Sequence, residues 1–130
     1  MFHNHKFQDS DRGSGVVGFV LIAPLLVLLF VSVGQITMLV ADKSVLNSAA
    51  VIGARTASAA DSTNSFGRSA ALAILSSRGA KFNGNISMSQ EQVKGISYVQ
   101  VTISRKVMIN ILNRSITISA TARAVDEKLL

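Results

Sequence analysis

Val16-Val17-Gly18-Phe19-Val20-Leu21-Ile22-Ala23-Pro24-Leu25-Leu26-Val27-Leu28-Leu29-Phe30-Val31 is the stretch on which the reading of this chain turns. Around it, from Gly13 to Ala41, there is no Asp, Glu, Lys, Arg or His. A helix rises about 1.5 Å per residue, so about 20 apolar residues cross the hydrocarbon core of a bilayer. The run exceeds that length. The alternative is a helix buried in a soluble core, but such helices rarely stay apolar on every face for so long. The sequence therefore predicts a transmembrane helix over residues 14–41. Pro24, the one proline, sits inside it, where it removes a backbone hydrogen bond that neighbouring helices in a membrane can compensate. Ser32, Gln35 and Thr37 make the far end more polar, so the lipid-embedded part ends near them.

What precedes the run, Met1 to Gly13, is short and hydrophilic. A secretory signal peptide has an apolar stretch of about 7–15 residues followed by its cleavage site. The run here is about twice that long, and a cut after it would remove the anchor. A cut before it, at Gly13, would keep the anchor. Lys6 and Arg12 flank the near side and Lys43 and Arg55 the far side, so the positive-inside rule leaves the orientation open.

Past the run, the Ala-rich segment from Ala41 to Ala60 continues as helix. Ala50, Gly53, Ala57 and Ala60 recur at spacings of three and four and form one stripe of small residues. Such a stripe lets another backbone approach closely. It serves either a helix of another subunit or the chain's own second helix or sheet. Asp61 and Ser62 offer an N-cap for a second helix, about residues 63–78, with Phe66, Ala70, Ala73 and Ile74 on one face. Arg78 and Gly79 form its stop signal.

The hydrophobic period then changes to two. Ile86 and Met88 alternate with polar residues, Val99 to Ile111 share one parity interrupted by Arg105, and Ile116 to Ala124 alternate with Ser, Thr and Arg. These predict three antiparallel strands, each with one covered face. A two-residue turn at Asn113-Arg114 would pair Ile111 with Ile116, Ile109 with Ile118 and Val107 with Ala120. The fold class is α+β: a long N-terminal transmembrane helix continuing beyond the membrane, a second helix, and a small three-stranded antiparallel sheet. The organisation reads as a leader over 1–13, a membrane helix over 14–41 and a folded domain over 42–130.

The whole chain has 130 residues, no cysteine, and 13 Lys+Arg against 7 Asp+Glu. Disulfides, thiolate metal sites and cysteine nucleophiles are excluded. The two histidines, His3 and His5, lie in the leader, so no histidine catalyst forms beyond it, and two histidines in a terminus make poor metal ligands. Asp126 and Glu127 are the adjacent acids, near a terminus expected to fray. No Gly-rich phosphate loop is present. The reading is a protein without catalysis and without cofactor. Beyond Ala41 the charges are scattered, with eleven cations against five acids. Scattered positive charge is a solvated surface, or one that attracts anionic headgroups, envelope polymers or nucleic acid. Nucleic acid is not expected, because no aromatic cluster accompanies the charge.

Arg12-Gly13-Ser14-Gly15-Val16-Val17-Gly18-Phe19-Val20-Leu21-Ile22-Ala23-Pro24 resembles the start of the TadE-like pilus-assembly proteins, pilin-like components of the Tad (Flp-type) branch of type IV pili. Leu46-Asn47-Ser48-Ala49-Ala50-Val51-Ile52-Gly53-Ala54-Arg55 is similar to the family's Ala-Ala-x-x-Gly-Ala-Arg segment, and the strand Ile116 to Arg123 to its closing strand. The resemblance implies a precursor cut on the cytoplasmic side by a prepilin peptidase, with Gly13 before the cut and Ser14 the new N-terminus. It implies a single-pass protein of the bacterial inner membrane, with the leader cytoplasmic and the folded domain outside. The implied partners are the lipid bilayer, the peptidase, other pilin-like subunits and the Tad inner-membrane assembly platform. Members of the family carry Glu at the fifth position of the mature chain, and here that position is Gly18. In pilins that carboxylate is thought to offset a neighbour's α-amino charge inside the bundle, where an unpaired charge is costly. The implied role is a minor pilin or pseudopilin. A single-span anchor whose basic domain binds an envelope partner or nucleic acid is the alternative.

Overall fold

In the computed structural model the backbone is described for residues 9–77 and 81–129, and side chains for 13–77 and 81–128. The elements run in the order α1 (Asp9–Ser58), α2 (Asn64–Ser76), β1 (Gly84–Val93), β2 (Ile96–Ile109), β3 (Arg114–Val125) and a 3-10 turn (Glu127–Leu129). The fold is α+β, with one candidate membrane span among the described residues. Two compact units divide between Thr37 and Met38, about a helical turn before the boundary read at Asp42. Most of the leader and the stop signal at Arg78 and Gly79 lie outside the described residues.

In the first unit α1 is continuous through Pro24. Its most apolar window has a mean hydropathy of 3.0, and none of that window is buried within the chain. Phe19 and Phe30 are 70% and 74% exposed. A core helix would bury at least one face, and within the first unit this window buries none. The hydroxyls within the run bond to the helix's own carbonyls: Ser32 Oγ donates to Leu28 O at 2.7 Å and Thr37 Oγ1 to Val33 O at 2.9 Å. That local satisfaction is what a helix in lipid requires, since no water is available to a stranded polar group.

In the second unit the later turns of α1 and all of α2 cover one face of a sheet ordered β1-β2-β3. The core is made of Leu46, Ala49, Ala50, Ala54 and Ala57 from α1, Ala71 and Leu75 from α2, and Ile86, Val99, Val101, Ile103 and Ala120 from the sheet. Small residues on the helices meet branched residues on the strands, so the layers approach closely around a modest core. The strands alternate because successive side chains take opposite faces. Val99, Val101 and Ile103 point inward and are at most 1% exposed, while Thr102 and Thr121 meet on the other face at 3.1 Å.

Two local expectations are corrected. The buried face of α2 is Gly67, Ala71 and Leu75, with Ile74 partly buried, and Phe66 is 60% exposed. The tight contact with α1 selects the smallest residue of the helix, which turns Phe66 outward. The N-cap is Thr63, whose carbonyl accepts from Phe66 and Gly67. Ser62 instead closes the end of α1, its N–H donating to Ala59 O at 3.1 Å.

The β2–β3 register also differs. Val107 pairs with Ile116 and Ile103 with Ala120, and Ile109 with Arg114 closes a four-residue turn, Asn110 to Asn113. Asn113, not Arg114, takes the left-handed conformation, with φ of 46°. The wider turn is held by Leu112 N–H to Ile109 O at 3.2 Å. It also sets the large Ile103 beside the small Ala120 under the helices. The parity is unchanged, so the same residues face inward. The β1–β2 hairpin is tighter: Val93 pairs with Ile96 around Lys94-Gly95, with φ of 51° and 82°. Both values are positive, as the hairpin turn that matches strand twist demands.

Candidate functional site

The residues singled out by sequence fall into two places, one in each unit. The first is the start of the apolar helix. Gly13 and Ser14 lie within α1, at the start of the described span Gly13–Ser58. A Cβ at Gly13, Gly15 or Gly18 would meet nothing within 4 Å. Packing inside the chain therefore does not require glycine at any of the three. Pro24 leaves the carbonyl of Val20 without its usual i+4 donor, in the middle of the exposed run.

The second place is the small-residue stripe on α1. Ala50, Gly53 and Ala57 are buried against α2 and the sheet, whereas Ala60 lies past the end of the helix and is exposed. A Cβ at Gly53 would come within 3.2 Å of Ala71 Cβ and of Gly67 O, and within 3.7 Å of Val101. The stripe thus contacts the chain's own second helix and central strand. The opposite side of the same helix, with Asn47, Ser48, Val51 and Ile52, is exposed and forms an open shallow groove.

Three polar contacts escaped the sequence reading. Arg105, which interrupts the apolar parity of β2, lies 3.9 Å from Asp42 of α1. Lys43 Nζ donates to the carbonyl of Ser119 on the edge strand β3, a charged side chain placed where an edge needs cover. Asp126 is 1% exposed and holds the end of the chain: Gln90 Nε2 donates to its Oδ2 at 3.1 Å, and Lys128 N–H to its Oδ1 at 3.2 Å. Its own N–H donates to Ser97 O at 2.9 Å. Lys128 Nζ reaches Ala57 O in the last turn of α1 at 3.0 Å, a cation at the negative end of a helix. The segment expected to fray is therefore pinned through Lys128. A Gln on the inward parity of β1, in register through Val99 with Ala124 near the end of β3, was the available signal.

Among the described residues no three His, Cys, Asp or Glu side chains gather where a metal ion would sit. The cleft around the Asp42–Arg105 pair, lined also by Leu46, Leu75 and Phe82, has a volume of about 50 Å³. That is below the roughly 300 Å³ at which small-molecule sites begin.

A candidate membrane helix whose later turns cover one face of a small antiparallel sheet fits a membrane-anchored protein. A family model described as TadE-like protein matches residues 13–55, about a third of the chain. The chain is thus TadE-like over the segment that starts at Gly13 and ends one turn before the end of α1. The match supports a pilin-like protein associated with a Tad pilus. No curated protein and no solved structure matches the chain.

Proposed function

We propose that the chain is a minor pilin or pseudopilin, a structural component of a Tad pilus and secretion system without catalysis of its own. The observation that carries the reading is a coincidence of boundaries. The TadE-like match begins at Gly13, which is also the first residue of the charge-free run Gly13 to Ala41. On this reading residues 1–13 are a cytoplasmic leader removed by a prepilin peptidase, and 14–41 anchor the product in the inner membrane. Residues 42–130 form the domain outside it. The partners are other pilin-like subunits and the assembly platform. A cut before the apolar run keeps an anchor that can later be withdrawn from lipid into a helical bundle.

The test is co-expression with a cognate prepilin peptidase, followed by the intact mass of the product. The expected product lacks Met1 to Gly13 and begins at Ser14. Gly13→Leu should abolish the cut, because the peptidase must admit a residue with no side chain there. A side chain at 13 meets nothing within 4 Å, so a lost cut is not explained by a clash in the chain's own fold. A cut beyond the apolar run, releasing a fragment without its anchor, overturns the reading.

A further inference from the structure

The β2–β3 hairpin outruns the rest of the sheet. β1 begins at Gly84 opposite Arg105, so Lys106 to Ile109 pair with Arg114 to Thr117 and with no β1 residue. This two-stranded ribbon and its turn are strongly apolar. Met108 and Leu112 are 63% and 64% exposed, and Ile111 and Ile116 are 45% and 37% exposed. An isolated exposed leucine means little, but four exposed aliphatic side chains within nine residues of one ribbon and its turn are a candidate contact with another apolar phase. Cations frame the cluster. Lys106 and Arg114 are both exposed on the ribbon, and from Gln92 to Val125 the sequence has no acidic residue.

We infer that the tip of the β2–β3 hairpin, Lys106 to Ile116, docks on an anionic lipid bilayer. Its aliphatic side chains enter the headgroup boundary, and Lys106 and Arg114 lie against lipid phosphates. Two features select lipid as the occupant. The charge is of one sign and frames the apolar cluster, the pattern that adheres to anionic membrane surfaces. The same chain carries a membrane anchor, which presents lipid to the hairpin at high effective concentration, so a weak contact suffices. The inference needs the anchor alone and stands apart from the pilus reading.

The full chain is reconstituted into vesicles of phosphatidylglycerol mixed with phosphatidylcholine, and separately into pure phosphatidylcholine. A single cysteine at Asn110 in the turn carries an environment-sensitive fluorophore, and one at Ser89, exposed on β1, serves as reference. No native cysteine competes for the label. The probe at 110 should shift to the blue and be quenched by spin-labelled lipid in the anionic vesicles, and the probe at 89 should remain in water. Lys106→Gln and Arg114→Gln should each lower the inserted-to-free ratio about fivefold. Leu112→Asp should abolish insertion with the unfolding midpoint unchanged. A probe at 110 that stays in water in anionic vesicles overturns the inference, as does equal shielding in the two lipids. Shielding that rises with protein-to-lipid ratio also overturns it, by assigning the tip to a second copy of the chain.

Discussion

Gly53 of α1 and Gly67 of α2 stand against each other, and at Gly67 there is no room for a methyl group. A Cβ at Gly67 would lie 2.6 Å from Gly53 O and 2.5 Å from Ala57 Cβ, whereas one at Gly53 would lie 3.2 Å from Gly67 O. The asymmetry makes a prediction. Gly→Ala inside a helix gains about 1 kcal/mol in propensity. At Gly67 the obstruction includes backbone, so the helices must separate, and overpacking of that kind costs about 1–3 kcal/mol. Gly67→Ala should therefore show a net loss of up to about 2 kcal/mol. Gly53→Ala should stay within about 0.5 kcal/mol of the native chain, since its shorter overlap offsets its propensity gain. Denaturant unfolding of the full chain in detergent micelles measures both. Equal effects at the two positions would show that the helices do not cross in this way.

Asp126 yields the second prediction. Asp126→Ala removes the acceptor for the Gln90 amide and for the Lys128 N–H in a buried place. The stranded donors sit on exposed residues, where water can replace the acceptor, so the variant should lose only the net worth of the bonds, about 0.5–1.5 kcal/mol. The companion Gln90→Ala should be milder, because the carboxylate keeps Lys128 N–H as a donor. Hydrogen exchange at the end of β3 and at Ser97 checks the locality of the effect. Destabilisation spread evenly over the sheet would mean that Asp126 does not pin the terminus.

These two contacts also show where sequence reading stops. The parity of Val99, Val101 and Ile103 and of Ala120, Ala122 and Ala124 is local information, set by alternation along one strand, and the structure keeps it. The β2–β3 register is not local. The tightest turn and the four-residue turn leave the same residues inward, and the choice rests on how Ile103 and Ala120 fit beneath two helices. The face of α2 went the same way: hydrophobicity pointed to Phe66, but the contact is decided by the absence of a side chain at Gly67. The apolar run of α1 was legible because a bilayer imposes length and composition on a single segment. In the candidate site, the stripe from Ala50 to Ala57 was visible as a spacing of small residues. Its partner was not, since a small residue says that something comes close without saying what.

The last prediction follows from Gly18. Within the proposed function, Ser14 becomes the N-terminus and position 18 lies one turn in. Gly18→Glu should then supply a charge partner for a neighbouring subunit's α-amino group. The structure does not oppose the change: a Cβ at Gly18 meets nothing within 4 Å, and glycine is the weaker helix former. In lipid the new carboxylate sits near the interface, so its insertion penalty should fall well below the roughly 2.5–3.5 kcal/mol of a charged residue at a helix centre. In a bundle it would accept a charge-assisted hydrogen bond, about twice as strong as a neutral one. The native chain should therefore be a minor component of sheared pili beside a more abundant pilin, and the variant should enter the filament in greater amount. Quantifying the subunit in sheared pili, native against variant, measures this. A native chain that already forms most of the filament would show that contact at this position does not require the acid, and the minor role inferred from Gly18 would be wrong.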